Sequence, residues 1–142
     1  MEKLFVVLMV MLLSKSSITN TPATDAMLLQ IDFQDFFVND KADLKINNVL
    51  ILKDVVLSSD RSTGFTGIIV VINKLNENTA QVHYKSVNVD VELRDSIKVD
   101  IFLNGVENVF IVDGGKGKYV GFSKKDANQL YFMQRATHFV YD

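Results

Sequence analysis

From about Ile31 onward, apolar and polar side chains alternate with a period of two. That spacing belongs to a β-strand with one buried face. Ile31 and Phe33, joined by Phe36 or Phe37, begin a first strand, and the charged stretch Asp40 to Asp43 predicts a turn. Leu44 to Leu57 (LKINNVLILKDVVL) mixes alternating and continuous apolar pieces, which predicts two strands or one strand with a bulge. Ser58 to Gly64 (SSDRSTG) is a loop by composition. Gly67 to Ile72 (GIIVVI) is a continuous apolar run, expected as a strand buried on both faces.

The sharpest alternation lies in VNVDVEL, where Val87, Val89, Val91 and Leu93 point one way and Asn88, Asp90 and Glu92 the other. IKVDIFL repeats it with Ile97, Val99, Ile101 and Leu103. A turn at Arg94-Asp95-Ser96 joins the two as a predicted hairpin, with Leu93 opposite Ile97 and Asp90 opposite Asp100. Asn104-Gly105 predicts a tight turn into VENVFIV. VDGGKGKYVGF, Val112 to Phe122, then reads as a hairpin with a glycine-rich, basic tip. The sole helix candidate is Asp126 to Ala136, with Asp126 as its cap. The fold class expected is all-β: an antiparallel β-sandwich or barrel of about eight strands with at most one short helix.

Composition narrows the picture. With 142 residues, 48% hydrophobic and 23% charged, the chain has the makings of one globular domain. A net charge of −2 gives no bulk attraction to polyanions. No cysteine is present, which excludes disulfides, thiolate metal sites and cysteine nucleophiles. The beginning is different in kind: Lys3, a ten-residue apolar run from Leu4 to Leu13, then a Ser/Thr-rich stretch. This is the layout of a secretory signal peptide, too short to span a bilayer, which needs about 20 apolar residues. Ala23 after Thr21, or Ala26 after Thr24, offers the small residues of a cleavage site, and Ser16 after Ser14 lies nearer the apolar run but with Lys15 between them. We take residues 1–23 as the signal peptide and 24–142 as a single β-sandwich domain, exported from the cytoplasm.

Motifs for chemistry are weak. The phosphate loop G-x-x-x-x-G-K-[ST] fails, because Gly117-Lys118 is followed by Tyr119 and preceded at the required place by Val112. The dinucleotide form fails at Val120, and a strand rather than a helix is expected next. Asp90 and Asp100, flanked by Glu92 and offset by Lys98, read as a solvated charged face rather than a cation site. His83 and His138 read as ordinary strand histidines, so no metal and no cofactor are expected. No nucleophile elbow accompanies any serine. Among the C-terminal aromatics, Phe132 and Phe139 are expected in the core, while Tyr131 and Tyr141 are open between core and contact surface.

One local likeness adds an alternative. Asp113-Gly114, Gly117, Tyr119-Val120-Gly121-Phe122 and Ser123-Lys124-Lys125 follow the strand, turn and basic order of a small nucleic-acid-binding family. Residues 111–140 therefore resemble the bacterial sporulation-G (SpoVG) family, although the proline before Ser123 is missing and Asn128-Gln129 replaces an Asp-Gly turn. The resemblance implies a cytoplasmic nucleic-acid binder using Lys124 and Lys125, with Lys116, Lys118 and Arg135 nearby. The leader implies export, so the two readings diverge on location. The leading expectation is a secreted, non-catalytic binding protein that meets a protein or surface ligand through its loops. Those loops are Ser58–Gly64, with Arg61, and Asp113–Lys118, with Lys116 and Lys118. An exposed edge strand offers a route to a homodimer.

Overall fold

The computed structural model describes residues 26–142, and the alternating segments there form ten strands rather than eight. They are β1 (Met27–Phe33), β2 (Asp40–Ile46), β3 (Val49–Leu57), β4 (Ile69–Lys74), β5 (Thr79–Tyr84), β6 (Val87–Glu92), β7 (Ile97–Leu103), β8 (Val106–Val112), β9 (Tyr119–Lys124) and β10 (Leu130–Arg135). Six make one sheet in the order β10-β9-β1-β4-β5-β6, and four make the other in the order β3-β2-β7-β8. The expected signal peptide, residues 1–23, lies outside the described residues.

The two sheets pack as a sandwich because each presents one row of apolar side chains to the other. Leu29, Ile31 and Phe33 of β1, Val70 and Ile72 of β4, and Val120 and Phe122 of β9 face Leu44 and Ile46 of β2 and Val99, Ile101 and Leu103 of β7. None is more than 1% exposed. Each such burial contributes roughly 1.5–3 kcal/mol. Period two therefore fixes which residues are inside.

It does not fix which strands are neighbours. Val87–Glu92 and Ile97–Leu103 were expected as one hairpin, yet β6 ends one sheet and β7 lies inside the other. Their apolar rows meet across the core instead of side by side, and Arg94–Ser96 is a crossover. Asp90 consequently lies opposite Gln81, and Asp100 opposite Lys45 and Val109, so the expected acidic pair does not form. The glycine-rich stretch is corrected in the same way. β8 and β9 belong to different sheets, joined by a 3-10 turn at Gly114–Lys116. Arriving from the other sheet, β9 enters beside β1 in the same direction and pairs with it in parallel. Every other strand pair is antiparallel.

Three smaller expectations also change, while the two-strand form of Leu44–Leu57 and the Asn104-Gly105 turn hold. Asp40–Asp43 is not a turn but the first half of β2, since Asp40 and Ala42 alternate inward with Leu44. Leu44–Leu57 divides at Asn47-Asn48, both in the left-handed region (φ 46° and 67°); register shifts interrupt the β2–β3 ladder beyond it. β4 is buried on one face only, for Ile69 on the other is 37% exposed. The helix candidate Asp126–Ala136 is a 3-10 turn (Asp126–Asn128) followed by β10, whose Leu-Tyr-Phe-Met run favours a strand. Asn104-Gly105 forms the expected turn, with both residues at positive φ.

Beyond β10 the chain folds back over the outer face of the six-stranded sheet. There Tyr141 donates its hydroxyl to Asp32 Oδ2 (2.8 Å), accepts from Gln34 Nε2 (2.9 Å) and stacks on Phe65 at 4.1 Å. Phe139, expected in the core, sits in this tail beneath the Arg135 guanidinium at 5.3 Å. Phe132 lies at the seam between the sheets, against Phe110 (5.2 Å) and Phe122 (6.0 Å).

Candidate binding tip

The loops between strands collect at the two ends of the sandwich. One end carries the β1–β2 and β3–β4 loops, the Asn104-Gly105 turn and the β9–β10 turn. Its organising group is Asp40, 4% exposed. Lys124 Nζ donates to Asp40 Oδ1 at 2.9 Å and Asn104 Nδ2 to the same oxygen at 2.8 Å, while the Val38 N–H donates to Oδ2 at 2.9 Å. Asn104 extends the network, donating to Asn128 Oδ1 (2.7 Å) and accepting from the Lys41 N–H (2.9 Å). Asn108 finishes it, donating to the Asn128 carbonyl (3.0 Å) and accepting from the Leu130 N–H (2.9 Å).

These bonds tie both sheets together at one end. Burial works to raise the Asp40 carboxyl, but the hydrogen bonds from Lys124, Asn104 and the Val38 N–H outweigh it and hold the group below the usual carboxylate range. A buried carboxylate that is this fully bonded is a rigid anchor.

The segment beside the anchor runs Phe36-Phe37-Val38, out, in, out. Phe37 is 1% exposed and packs edge-on to Phe33 at 6.3 Å. Phe36 is 62% exposed and Val38 75%. Ser59 Oγ secures the segment from the β3–β4 loop, accepting from the Phe37 N–H (3.0 Å) and donating to the Gln34 carbonyl (2.6 Å). Phe36 itself has φ of 68°, a left-handed conformation that costs an L-residue about 1–2 kcal/mol. The chain thus spends stability to hold a phenylalanine in water. Beside it, Lys124, Lys125, Asp126, Ala127 and Tyr131 complete a shallow depression of about 580 Å³.

The six basic residues singled out in the sequence do not form one cluster. Lys124, Lys125 and Arg61 lie at this end, whereas Lys116, Lys118 and Arg135 lie at the other, separated by the length of β9, about 20 Å. Lys124 is committed to Asp40, and Lys125 is exposed at the rim. Arg61 is exposed in the β3–β4 loop beside Asp60, whose carboxylate closes its own turn by accepting from the Ser62 hydroxyl (2.5 Å) and the Ser62 N–H (2.8 Å).

At the opposite end, Ala26–Leu28, the Leu93–Ile97 crossover, Val112–Gly115, Lys74 and Lys118 line a cavity of about 350 Å³. Its charges are mixed, with Lys74, Arg94 and Lys118 against Asp95 and Asp113, so it selects no ligand charge. Asp113 Oδ1 is occupied by the Gly115 N–H at 2.9 Å.

His83 bonds Asn88 on the neighbouring strand, and His138 packs on Tyr119 of β9. β5 and β9 stand three strand spacings apart, about 14 Å, so the histidines do not share a site. Among the described residues no group of three or more His, Cys, Asp or Glu could hold a metal, and no helix is long and apolar enough to cross a membrane.

Sequence reasoning missed Asp40, Asn104, Asn128 and the exposure of Phe36. The one local signal was Phe-Phe-Val set among Asp35, Asn39 and Asp40, consecutive apolar residues where alternation breaks. Comparison with family models, with curated proteins and with solved structures finds no match.

Proposed function

We propose that this chain is a non-catalytic binding protein, exported by its N-terminal leader, that recognises a protein partner through the tip formed by Phe36, Val38, Tyr131 and Lys125. The observation that carries the reading is Phe36, held in a disfavoured backbone conformation with its ring in solvent. Strain of this kind persists where the surrounding structure over-determines it, and it gathers at ligand contacts. Aromatic side chains on a rigid platform bury large area with few rotors to freeze, which suits the centre of an interface. The Asp40 network supplies the platform, and Lys125 with Asp126 supplies a charged rim.

The nucleic-acid reading draws on the same end of the molecule, through Lys124 and Lys125. It is the weaker because Lys124 gives its charge to Asp40 rather than to solvent, leaving one lysine of the pair at the surface.

Quantitative affinity purification with wild type, Phe36→Ala and Lys116→Ala/Lys118→Ala separates the surfaces. A partner kept by wild type and the double lysine variant, but weakened about tenfold or more by Phe36→Ala, supports the tip. A partner held equally by Phe36→Ala overturns it. A salt-dependent shift of single-stranded oligonucleotide, lost in Lys125→Ala, selects the nucleic-acid reading. N-terminal sequencing that finds an intact Met1 in cytoplasmic protein removes export.

A further inference from the structure

A sandwich has free edges, and this one treats them unequally. Register shifts break the β3 edge, which also carries Lys53 and Asp54 with Asp54 at φ of 52°. The β6 edge carries Asn88, Asp90 and Glu92. The β8 edge carries Glu107 and is bridged to the start of β10 by Asn108, which guards its first half, while Val109–Val112 are uncharged. Charges and bulges of these kinds keep edges from pairing with other chains.

β10 has none of these defences along most of its length. Its ladder with β9 runs without a register shift from Leu130 to Arg135, and its only charge is Arg135 at the end. Tyr131, Phe132 and Met133 are 44%, 39% and 51% exposed. The phase of its backbone groups follows from neighbouring bonds. The Gln30 and Gln34 N–H groups donate to the Lys118 and Phe122 carbonyls, and the Lys125 N–H donates to the Gln129 carbonyl, all at 2.7 Å. Even-numbered residues of β9 therefore face β1, and odd-numbered ones face β10. Through the pairing of Gly121 with Met133 and Phe122 with Phe132, Tyr131, Met133 and Arg135 bond β9. Leu130, Phe132 and Gln134 aim their N–H and C=O groups outward. Asn108 takes the Leu130 N–H, so among the described residues the open stretch is Phe132 to Gln134.

We propose that this open edge pairs with β10 of a second copy of the chain, antiparallel, joining the two six-stranded sheets across a twofold axis. The strand is complementary to itself in that direction. Phe132 of one copy exchanges backbone bonds with Gln134 of the other, Met133 meets its counterpart on the outer face, and each Tyr131 lies opposite the Arg135 of the other copy. Antiparallel pairing also sets the two Arg135 side chains at opposite ends of the contact, whereas parallel pairing stacks them. The same operation on β6 brings Asp90 and Glu92 towards their own copies.

Light scattering over a range of concentrations tests this, with hydrogen exchange at the Phe132 and Gln134 amides as the local readout. The expected result is a mass that doubles with concentration while both amides gain protection. Met133→Glu, at an exposed position that leaves the core intact, keeps the monomer mass and loses that protection. Val87→Glu on β6 and Phe36→Ala at the tip leave the dimer unchanged, which separates this inference from the binding tip. A wild type that stays monomeric at every concentration overturns the proposal. So does a dimer that survives Met133→Glu.

Discussion

The two ends of the sandwich hold their loops by different means. At the Gly-Lys end the chain crosses between sheets at Leu93–Ile97 and Asp113–Lys118, and a glycine that no other residue can replace without strain joins local side-chain bonds in the holding. Gly117 has φ of 139°, and a Cβ there falls inside the van der Waals radius of the Arg135 carbonyl. Gln134 Nε2 bridges the Asp113 and Gly117 carbonyls at 2.6 and 2.8 Å. At the Phe36 end side chains do the holding, through Asp40, Lys124, Asn104, Asn108 and Asn128. A turn fixed by one glycine's conformation and by bonds within a few residues of it has little latitude in its own shape. One held by side chains from four neighbouring segments can carry strain that its own residues do not relieve. Both ends carry two crossovers between the sheets; the second is the one that also displays a strained, exposed residue, Phe36.

Each end therefore fails through its own class of residue. The largest effect is expected for Asp40→Ala, which leaves the Lys124 ammonium without its carboxylate and Asn104 with one acceptor fewer. Urea unfolding should show a loss of about 3 kcal/mol. The same group predicts an acid limb. Because the folded Asp40 carboxyl titrates below its unfolded value, its contribution is complete above about pH 4–5 and is lost as pH falls through the lowered value. Asp40→Asn should flatten that part of the stability profile.

Gly117→Ala comes next, at about 2 kcal/mol, because it combines an unfavourable φ with a backbone clash. Its damage should stay local: hydrogen exchange is expected to rise in residues 113–118 and not in the Phe36 loop. A loss of protection at both ends would erase the contrast. Tyr141→Phe is smaller, about 1 kcal/mol, since it removes one hydroxyl and leaves the ring on Phe65. Burial, and the nearby Asp32 carboxylate against the opposing Gln34 amide, push the Tyr141 phenol above its ordinary range. The hydroxyl therefore stays protonated, and its donation to Asp32 intact, wherever the protein is folded at neutral pH.

How much of this was legible in the sequence follows the range of the interaction. The inward row of β7 could be read directly, since Ile97, Val99, Ile101 and Leu103 alternate with polar or half-buried neighbours. Asn104-Gly105 declared its turn. What could not be read is partner choice. A strand with one apolar face satisfies that face equally as one arm of a hairpin or as the opposite wall of a sandwich, so β6–β7 and β8–β9 were joined wrongly. The Asp40–Lys124 bond spans 84 residues, and nothing local to either residue announces it. Phe36 looked like the continuation of a first strand; only the burial of Phe37 against Phe33 shows that the ring beside it must point to solvent.

Phe36→Gly brings these arguments to one point. Glycine adopts the observed φ without a Cβ penalty, so the variant should be more stable than wild type by roughly 0.5–1 kcal/mol, net of the freedom glycine adds to the unfolded chain. The decisive measurement is the affinity of that stabilised variant for the partner captured by wild type. Binding is expected to fall at least about tenfold while the fold is strengthened. Binding at the wild-type level by Phe36→Gly would contradict it.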